Sequence, residues 1–372
     1  MAKKKEGKSL FGNLLQEEKM YQASTIVEAL SEVVPQRAPF LCTSPSISWS
    51  SAVGYYFGTM ELLYGPKSSG KTMLALDRIK SMQAVDPEGI VAFVDAELDF
   101  EFESTVRWMA ANGVDTSRVL IIREVNIKRI FETHILEKIQ KECRAGNVKL
   151  LGIVFDSIAA MGVKEMPATE RGLNKKALDG LTKQDHGARA NYLARIFSFY
   201  REFVRNFRLF SCFINQARFK GTDFFGNPVY DTNGGEALFH EMQYRYLVIH
   251  DDSQDAIITK AGTSDMGGKE IQIGHRIKWY CQKNKMGEGF GREGKCDIVY
   301  MKGIVNTEKE IVKLASKLGI INQGGAWYEY EGLKWQGEEK AVKYLIENPD
   351  VYQDIFDKVM VDARDTDKYE HN

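Results

Sequence analysis

The sequence has little cysteine and histidine, and neither residue type is grouped. Its five cysteines are widely scattered and odd in number, so no zinc knuckle or redox motif is indicated. The six histidines do not cluster either, so a structural metal has no support. The cysteines are Cys42, Cys143, Cys212, Cys281 and Cys296. We expect reduced, mostly buried thiols in a cytoplasmic protein.

Long apolar runs and an excess of charge of one sign are also missing. No run reaches about eighteen apolar residues, so no membrane span is expected. The basic start, residues 1–8, is not followed by the apolar stretch of a signal peptide. The formal net charge is −1, so a nucleic-acid partner cannot be argued from overall charge and would need a local basic surface. We therefore expect an intracellular protein with no membrane partner.

Short apolar runs alternate with segments of helical period between about residues 41 and 303. Strands are predicted at 60–64, 90–94, 119–122, 150–155 and 209–214. Helices are predicted at 71–82, from about 103, at 127–144 and at 192–205. This order is typical of a doubly wound α/β domain with a mostly parallel sheet. Four later runs predict an antiparallel extension of that sheet, at 244–250, 256–260, 271–282 and 297–301.

The two ends of the chain have a different character. Residues 1–40 form a weakly patterned arm in which a helix is predicted at 24–34, stopped by Pro35. That helix could pack on the main domain or dock on a neighbouring subunit. Residues 304–372 predict a small α+β domain with a polar tail. Its predicted elements are a helix at 307–318, a hairpin at 326–335 and two helices broken near Asn348 and Pro349.

The strongest motif is G-x-x-x-x-G-K-[ST], which a predicted strand enters and a predicted helix leaves. It consists of Gly65, Pro66, Lys67, Ser68, Ser69, Gly70, Lys71 and Thr72. The glycines let backbone N–H groups turn toward phosphates at a helix N-terminus, which favours negative charge. Lys71 can reach the β- and γ-phosphates, and the Thr72 hydroxyl suits Mg²⁺. The motif predicts ATP and Mg²⁺ binding, with an ordinary glycine-rich turn as the alternative.

Two carboxylates follow predicted strands at the edge where an α/β sheet binds its ligands. Asp156 ends the buried strand 150–155, and an ionised group there is costly without a task such as holding Mg²⁺. Glu97 follows the strand 90–94 and is a candidate for polarising the attacking water. A capping or surface acid is the alternative interpretation of Glu97, and Asp95 is a weaker candidate for the same task.

Gln216 follows the predicted strand 209–214, and a neutral amide there could sense a γ-phosphate. The next segment, 217–236, is glycine-rich and too long for an idle connection. Its cations Arg218 and Lys220 and its aromatics Phe224 and Phe225 suit single-stranded nucleic acid, although a substrate lid explains them as well. A second predicted loop, 161–190, has a basic balance. It is either a solvated face or a nucleic-acid contact, and charge alone does not decide between them.

Several blocks together resemble the bacterial RecA family, recombinases that form filaments on DNA. The blocks are residues 64–72, 92–97, 213–218, 225–228 with 232–235, and 283–285. Residues 325–334 and 341–349 resemble the C-terminal domain of that family. The resemblance runs from about residue 45 to 360. It implies a P-loop ATPase core over 41–303 and a small C-terminal domain over 304–372.

The resemblance implies a DNA-dependent ATPase that exchanges strands in recombination and repair, working as a helical filament on single-stranded DNA and binding double-stranded DNA. Glu97 and Lys71 would be catalytic, and Gln216 would couple the γ-phosphate to a DNA loop at about 217–235. Lys283 and Lys285 would reach the ATP of the adjacent subunit like arginine fingers. The other DNA loop would be about 165–187. The DNA-binding residues would be Arg218, Lys220, Phe225, Gly226, Asn227, Thr232, Gly234, Gly235, Lys175, Lys176 and Arg189.

The sequence also departs from the family pattern. Lys67 replaces the usual glutamate, and we expect it to face away from the phosphates. The DNA loop at about 165–187 is longer and more basic than in the family. Extra residues also follow Glu97 and lie between His250 and Gly274. The long acidic tail is missing, and the N-terminal arm does not align. These departures fit a divergent member, such as one encoded by a phage.

Three other functions stay open. A ring helicase with the same fold would form closed rings, and a non-catalytic scaffold would coat DNA without exchanging strands. A small-molecule P-loop kinase would use 217–235 as a lid and ignore DNA.

Overall fold

The computed structural model describes residues 37–52, 54–98, 101–163, 175–222, 228–232, 236–260, 270–287 and 289–364. The chain divides into two compact units, residues 1–38 and 39–372. In the first unit only residues 37 and 38 are described, and the helix predicted at 24–34 lies outside the described residues. None of the described helices is both long and apolar enough to cross a membrane.

A mixed sheet of eleven strands forms the centre of the second unit, as far as the described residues show. Its strands are β1 Thr59–Gly65, β2 Ile90–Asp95, β3 Val119–Arg123, β4 Leu150–Asp156, β5 Phe210–Thr222, β6 Pro228–Thr232, β7 Tyr244–His250, β8 Ile257–Lys260, β9 Ile271–Asn284, β10 Glu293–Val299 and β11 Gly303–Val305. Their order is β11-β10-β9-β7-β1-β5-β4-β2-β3, with β6 beside β5 and β8 beside β9. The six strands from β7 to β3 run parallel, which confirms the predicted mostly parallel sheet.

The direction of β7 corrects one prediction. Tyr244–His250 was expected to begin the antiparallel extension, but it runs parallel to β1. The reason is the short helix Glu236–Glu241, after which the Gln243 N–H donates to the Met60 carbonyl at 2.9 Å. The chain therefore returns to the start of β1 before β7 begins. Strands β8, β9 and β10 form the antiparallel extension as predicted, and β11, which was not predicted, pairs antiparallel with β10.

Helices cover both faces of the sheet. The helices of the core are α1 Pro45–Ser50, α2 Lys71–Val85, α3 Phe102–Ala111, α4 Gln140–Arg144 with the π-helical stretch Arg129–Ile139 before it, α5 Lys175–Asn206 and α6 Glu236–Glu241. Alternate side chains of β1 enter different cores, with Leu62 on one face and Leu63 on the other. Every residue of β1 is buried, as expected for a parallel strand that is covered on both faces. Four of the five free cysteines are buried in these layers, as expected for mostly buried thiols.

The C-terminal elements enclose a core of their own. They are the helices α7 Thr307–Lys317, α8 Glu338–Glu347 and α9 Pro349–Asp362, and the antiparallel strands β12 Asn322–Gly324, β13 Trp327–Tyr330 and β14 Leu333–Gln336. Ile311, Leu345 and Ile355 are fully buried among them. The predicted hairpin is confirmed, and so is the break between two helices near Pro349. The break occurs there because proline fits the first turn of a helix but not its interior.

Both predicted loop regions contain regular structure. In 161–190, helix α5 already begins at Lys175, since this segment is rich in alanine, leucine and lysine, which favour helices. In 217–236, β5 continues to Thr222 and pairs with β6 as a hairpin. Phe219 and Tyr230 face each other in that pair with ring centroids 5.9 Å apart, a contact that stabilises a hairpin. Residues 164–174, 223–227 and 233–235 lie outside the described residues.

Glu310 of α7 gives the fold a pH-dependent contact with the N-terminus of α1. Its Oε1 accepts from the Ser46 N–H at 2.8 Å and from the Ser44 hydroxyl. Its Oε2 is buried without a hydrogen-bond partner among the described residues. Burial raises the pKa of Glu310 from 4.5 to about 7. The protonated form therefore stabilises the fold, and that contribution is lost as the pH rises through 7.

We predict that Glu310→Gln reduces the pH dependence of stability. A neutral amide keeps an acceptor for Ser46 but carries no charge that must be buried. At pH 8 the variant should be more stable than the wild type by about 2 kcal/mol, and at pH 5 the difference should be small. Urea unfolding at both pH values measures this. If stability depended on pH in the same way in both proteins, burial would not raise the pKa of Glu310.

Candidate nucleotide-binding site

The predicted phosphate-binding loop, residues 65–72, connects β1 to α2, as expected. Gly65 packs so closely on β7 that a Cβ atom there would lie 1.9 Å from the Val248 carbonyl oxygen. Gly70 has a φ of 86°, a left-handed conformation that favours glycine. Both glycines are therefore required by geometry. The loop ends at the N-terminus of α2, where backbone N–H groups are free of intrahelical partners and attract anions.

Lys71 is buried and turns back into this loop. Its Nζ donates to the Gly65 carbonyl at 3.1 Å, to the Ser69 hydroxyl at 3.3 Å and to the Pro66 carbonyl. Burial lowers the pKa of Lys71 to about 8, although nearby carboxylates oppose the shift. Phosphate oxygens are stronger acceptors for an ammonium group than these neutral oxygens. Lys67, expected to face away from the phosphates, is exposed. Lys67 and Ser68 both border the cavity that is described below.

Asp156 and Thr72 together fit a divalent cation. Asp156 ends β4, is 7% exposed and accepts a hydrogen bond from the Thr72 side chain. Its Oδ1 is buried without a hydrogen-bond partner among the described residues. Burial, with Glu97 nearby, raises the pKa of Asp156 to about 7. A cation held by these two oxygen ligands would stabilise the ionised carboxylate, and oxygen ligands are those that Mg²⁺ prefers.

Glu97 is held by two donors on one oxygen. The Ser157 hydroxyl donates to Glu97 Oε1 at 2.6 Å, and Gln216 Nε2 donates to the same atom at 3.3 Å. The Glu97 N–H donates to the Asp156 carbonyl at 3.2 Å. The ends of β2 and β4 and the middle of β5 therefore meet at this carboxylate. Asp95 is engaged elsewhere, 3.3 Å from Arg123, which makes it the weaker candidate base.

A cavity of about 600 Å³ connects these groups. It is lined by Lys67, Ser68, Ser69, Gly70, Lys71, Thr72, Met73, Phe93, Asp95, Glu97, Thr105, Trp108, Asp156, Ile214, Gln216, His250, Gln272, His275 and Tyr300. The predicted residues Lys71, Thr72, Asp156, Glu97 and Gln216 thus share one site. Sequence reasoning missed the aromatic wall, where Trp108 Nε1 donates to the Tyr300 carbonyl at 2.9 Å. Only the strand order brings these distant segments together.

Lys283 and Lys285 do not line this cavity. Lys283 lies opposite Arg245, and Tyr244 next to it lies opposite Glu61, near the start of β1. The phosphate-binding loop begins after Gly65, about 13 Å further along β1 at 3.3 Å per residue. Lys283 Nζ donates to the Phe239 and His240 carbonyls at 2.9 Å each.

The environment of Lys283 disfavours its positive charge in the isolated subunit. Burial, with the charges of Lys285 and Arg245, lowers the pKa of Lys283 to about 8. Three cations therefore gather at the end of the strands opposite the phosphate-binding loop, and Glu241 partly offsets their charge. Such a group would be stabilised by an anion brought from outside the subunit.

The predicted DNA-binding residues are described unevenly. Arg218 and Thr232 lie in the β5–β6 hairpin and Lys175 and Lys176 begin α5, but only their backbones are described. Lys220 is an exposed residue of the hairpin. Phe225, Gly226, Asn227, Gly234 and Gly235 lie outside the described residues.

Arg189 differs from the other predicted DNA contacts. It is 5% exposed, and its Nη1 lies 3.3, 2.9 and 3.1 Å from the carbonyls of Ile158, Ala159 and Met161, to which it donates. It ties α5 to the turn after Asp156. This geometry does not favour a phosphate contact by Arg189.

Known proteins resemble the chain over most of its length. Residues 9–305 match the RecA N-terminal domain and residues 309–364 match the RecA C-terminal domain. Protein RecA of Streptococcus mutans serotype c is 35% identical over 312 residues, which are 83% of this chain and 72% of that protein. Protein RecA of Streptococcus thermophilus is 34% identical over 83% of this chain and 73% of its own length. The chain belongs to the RecA family.

Proposed function

We propose that this chain is a DNA-dependent ATPase that forms helical filaments on single-stranded DNA and catalyses homologous pairing and strand exchange. Membership of the RecA family makes it a DNA recombination and repair ATPase. The observation that carries the detailed proposal is the meeting of Lys71, Thr72, Asp156, Glu97 and Gln216 in one cavity.

The cavity suits ATP in size and chemistry. Its volume of about 600 Å³ lies in the usual range for small-molecule sites, roughly 300–1,000 Å³. Residues 65–72 and the start of α2 would hold the phosphates, with Lys71 leaving its loop carbonyls for phosphate oxygens. Thr72 and Asp156 would hold Mg²⁺, which offsets negative charge on the phosphates. The aromatic wall of Trp108 and Tyr300 offers the apolar surface that a purine needs.

Glu97 would accept a proton from, or orient, the water that attacks the γ-phosphate. The donors Ser157 and Gln216 fix one of its oxygens, which leaves the other to face water. Gln216 is also two residues from Arg218 on the same strand, β5. A change at the γ-phosphate that pulls Gln216 away from Glu97 would therefore be transmitted directly into the β5–β6 hairpin, where DNA would bind.

Assembly would complete the site. Lys283 and Lys285 lie at the sheet edge opposite the phosphate-binding loop, too far to reach it in their own subunit. Stacking subunits head to tail would bring this edge of one subunit to the ATP of the next. A head-to-tail contact that does not close on itself generates a helical filament.

The first test is ATP hydrolysis with and without single-stranded DNA. We predict strong stimulation by DNA that fades as salt rises, because neutralising phosphates releases counterions. With six phosphate contacts, affinity would fall about 10³-fold between 50 and 200 mM salt. Steady-state turnover at both salt concentrations measures this. Turnover that ignores DNA would contradict the DNA-dependent part of the proposal and favour a P-loop kinase.

A further inference from the structure

Two polar side chains of β9, Gln272 and His275, border the cavity but take no part in the chemistry described above. Both contact the hydroxyl of Tyr300. Gln272 Nε2 donates to it at 2.9 Å, and His275 Nδ1 lies 3.3 Å from it. The Tyr300 backbone is also held, because its N–H donates to the Ile273 carbonyl at 3.0 Å. The phenol is therefore fixed at both ends although Tyr300 is 38% exposed.

The histidine that contacts the phenol is neutral. Burial, with the nearby His250, lowers the pKa of His275 and favours the neutral ring. The ring of His250 lies 4.8 Å from that of His275. Nε2 of His275 is buried without a hydrogen-bond partner among the described residues. A ring proton on Nε2 would leave a buried donor unpaired, whereas a proton on Nδ1 can be donated to the Tyr300 oxygen, which favours the Nδ1–H tautomer.

His275 also packs beneath the phosphate-binding loop. It is 7% exposed, and its Nε2 would lie 3.8 Å from a Cβ placed on Gly70. The same residue thus contacts the phosphate end of the cavity and, through Tyr300, its aromatic end. Gln272 lies in the stretch between His250 and Gly274 that departs from the family pattern.

We infer that Gln272 and His275 are positioning residues that fix Tyr300 against the bound nucleotide and so set the affinity for ATP. The inference rests on the proposed ATP site and deepens it. An aromatic side chain that is already ordered loses less conformational freedom on binding, which favours affinity. The two residues act through Tyr300 and lie away from Glu97, so the chemical step should not depend on them.

The test compares single variants in the full-length chain. Gln272→Leu and His275→Leu should each weaken ATP binding and raise the KM for ATP about five- to tenfold, the effect of losing one hydrogen bond. The kcat on single-stranded DNA should stay within about twofold, because the reacting groups are untouched. His275→Asn should recover most of the loss, since its amide group can form a hydrogen bond from near the position of Nδ1. Gln353→Leu, at an exposed position of α9, is the matched control.

A double-mutant cycle with Tyr300→Phe separates positioning from a general structural effect. Tyr300→Phe should cause a similar loss, and adding His275→Leu to it should cost little more. Calorimetric titration with Mg²⁺ and ATP measures binding. Full additivity with Tyr300→Phe, or wild-type affinity in both leucine variants, would overturn the inference while the wild type still binds ATP. A wild-type chain that binds no ATP would instead overturn the proposed function itself.

Discussion

Glu97→Gln should lower the kcat for ATP hydrolysis by about 10²- to 10³-fold while ATP and DNA binding stay close to wild type. The amide keeps the size of the carboxylate and can still accept from the Ser157 hydroxyl, now 2.6 Å from Glu97 Oε1. It cannot accept a proton from water. The loss should therefore appear in the chemical step alone.

Three measurements separate these effects. Single-turnover hydrolysis reports the chemical step, calorimetry reports ATP binding, and fluorescence anisotropy with a labelled oligonucleotide reports DNA binding. Glu103→Gln, an exposed acid in the first turn of α3, is the matched control and should behave like wild type. Turnover of Glu97→Gln near the wild-type rate would remove Glu97 from the role of base, and Asp95→Asn would become the next variant to test.

Lys283→Ala should reduce hydrolysis on DNA by about 10³-fold or more, the range for a cation supplied by a neighbouring subunit. The loss should be repaired by mixing. A subunit with Lys71→Ala cannot use its own ATP but still carries Lys283, which it would offer to the ATP of a Lys283→Ala neighbour. Neither variant alone should be active, yet in an equal random mixture roughly a quarter of the interfaces would be complete.

The mixing experiment has a clear contrary outcome. If Lys283 acted within its own subunit, every mixture would remain as inactive as its components. Lys343→Ala is the matched control, since Lys343 is exposed on α8 and pairs only loosely with Glu347, at 3.9 Å. Electron microscopy of the mixtures on DNA shows whether filaments still form. Inactive mixtures in normal filaments would remove Lys283 from the role in the adjacent site.

Local signals allowed much of the site to be predicted. The phosphate-binding loop depends on glycine positions that are fixed within eight residues, and Asp156, Glu97 and Gln216 follow apolar runs whose ends meet at one sheet edge. These features need only the rule that parallel strands end together. The continuous apolarity of β4 likewise predicted burial on both faces.

Other features depend on contacts that the sequence does not encode locally. β7 runs parallel to β1 because α6 carries the chain back to the start of β1. The apolar content of the strand does not predict this direction. Trp108 of α3 and Tyr300, which directly follows β10, are in contact although 192 residues separate them in the chain. Arg189 counted as a basic residue of a DNA loop, whereas its Nη1 donates to three backbone carbonyls. Charge alone does not tell whether an arginine faces solvent or backbone.

The close packing of Gly65 on β7 has a consequence for how sequences of this kind diverge. Because the Val248 carbonyl occupies the space of a side chain, Gly65 is required by the sheet even when no nucleotide is bound. A descendant that had lost ATP binding could replace Lys71 or Thr72 freely but would still keep this glycine. In a related sequence, retention of Gly65 alone would therefore indicate only that the backbone fold is inherited. Retention of Lys71 would indicate that ATP binding is inherited as well.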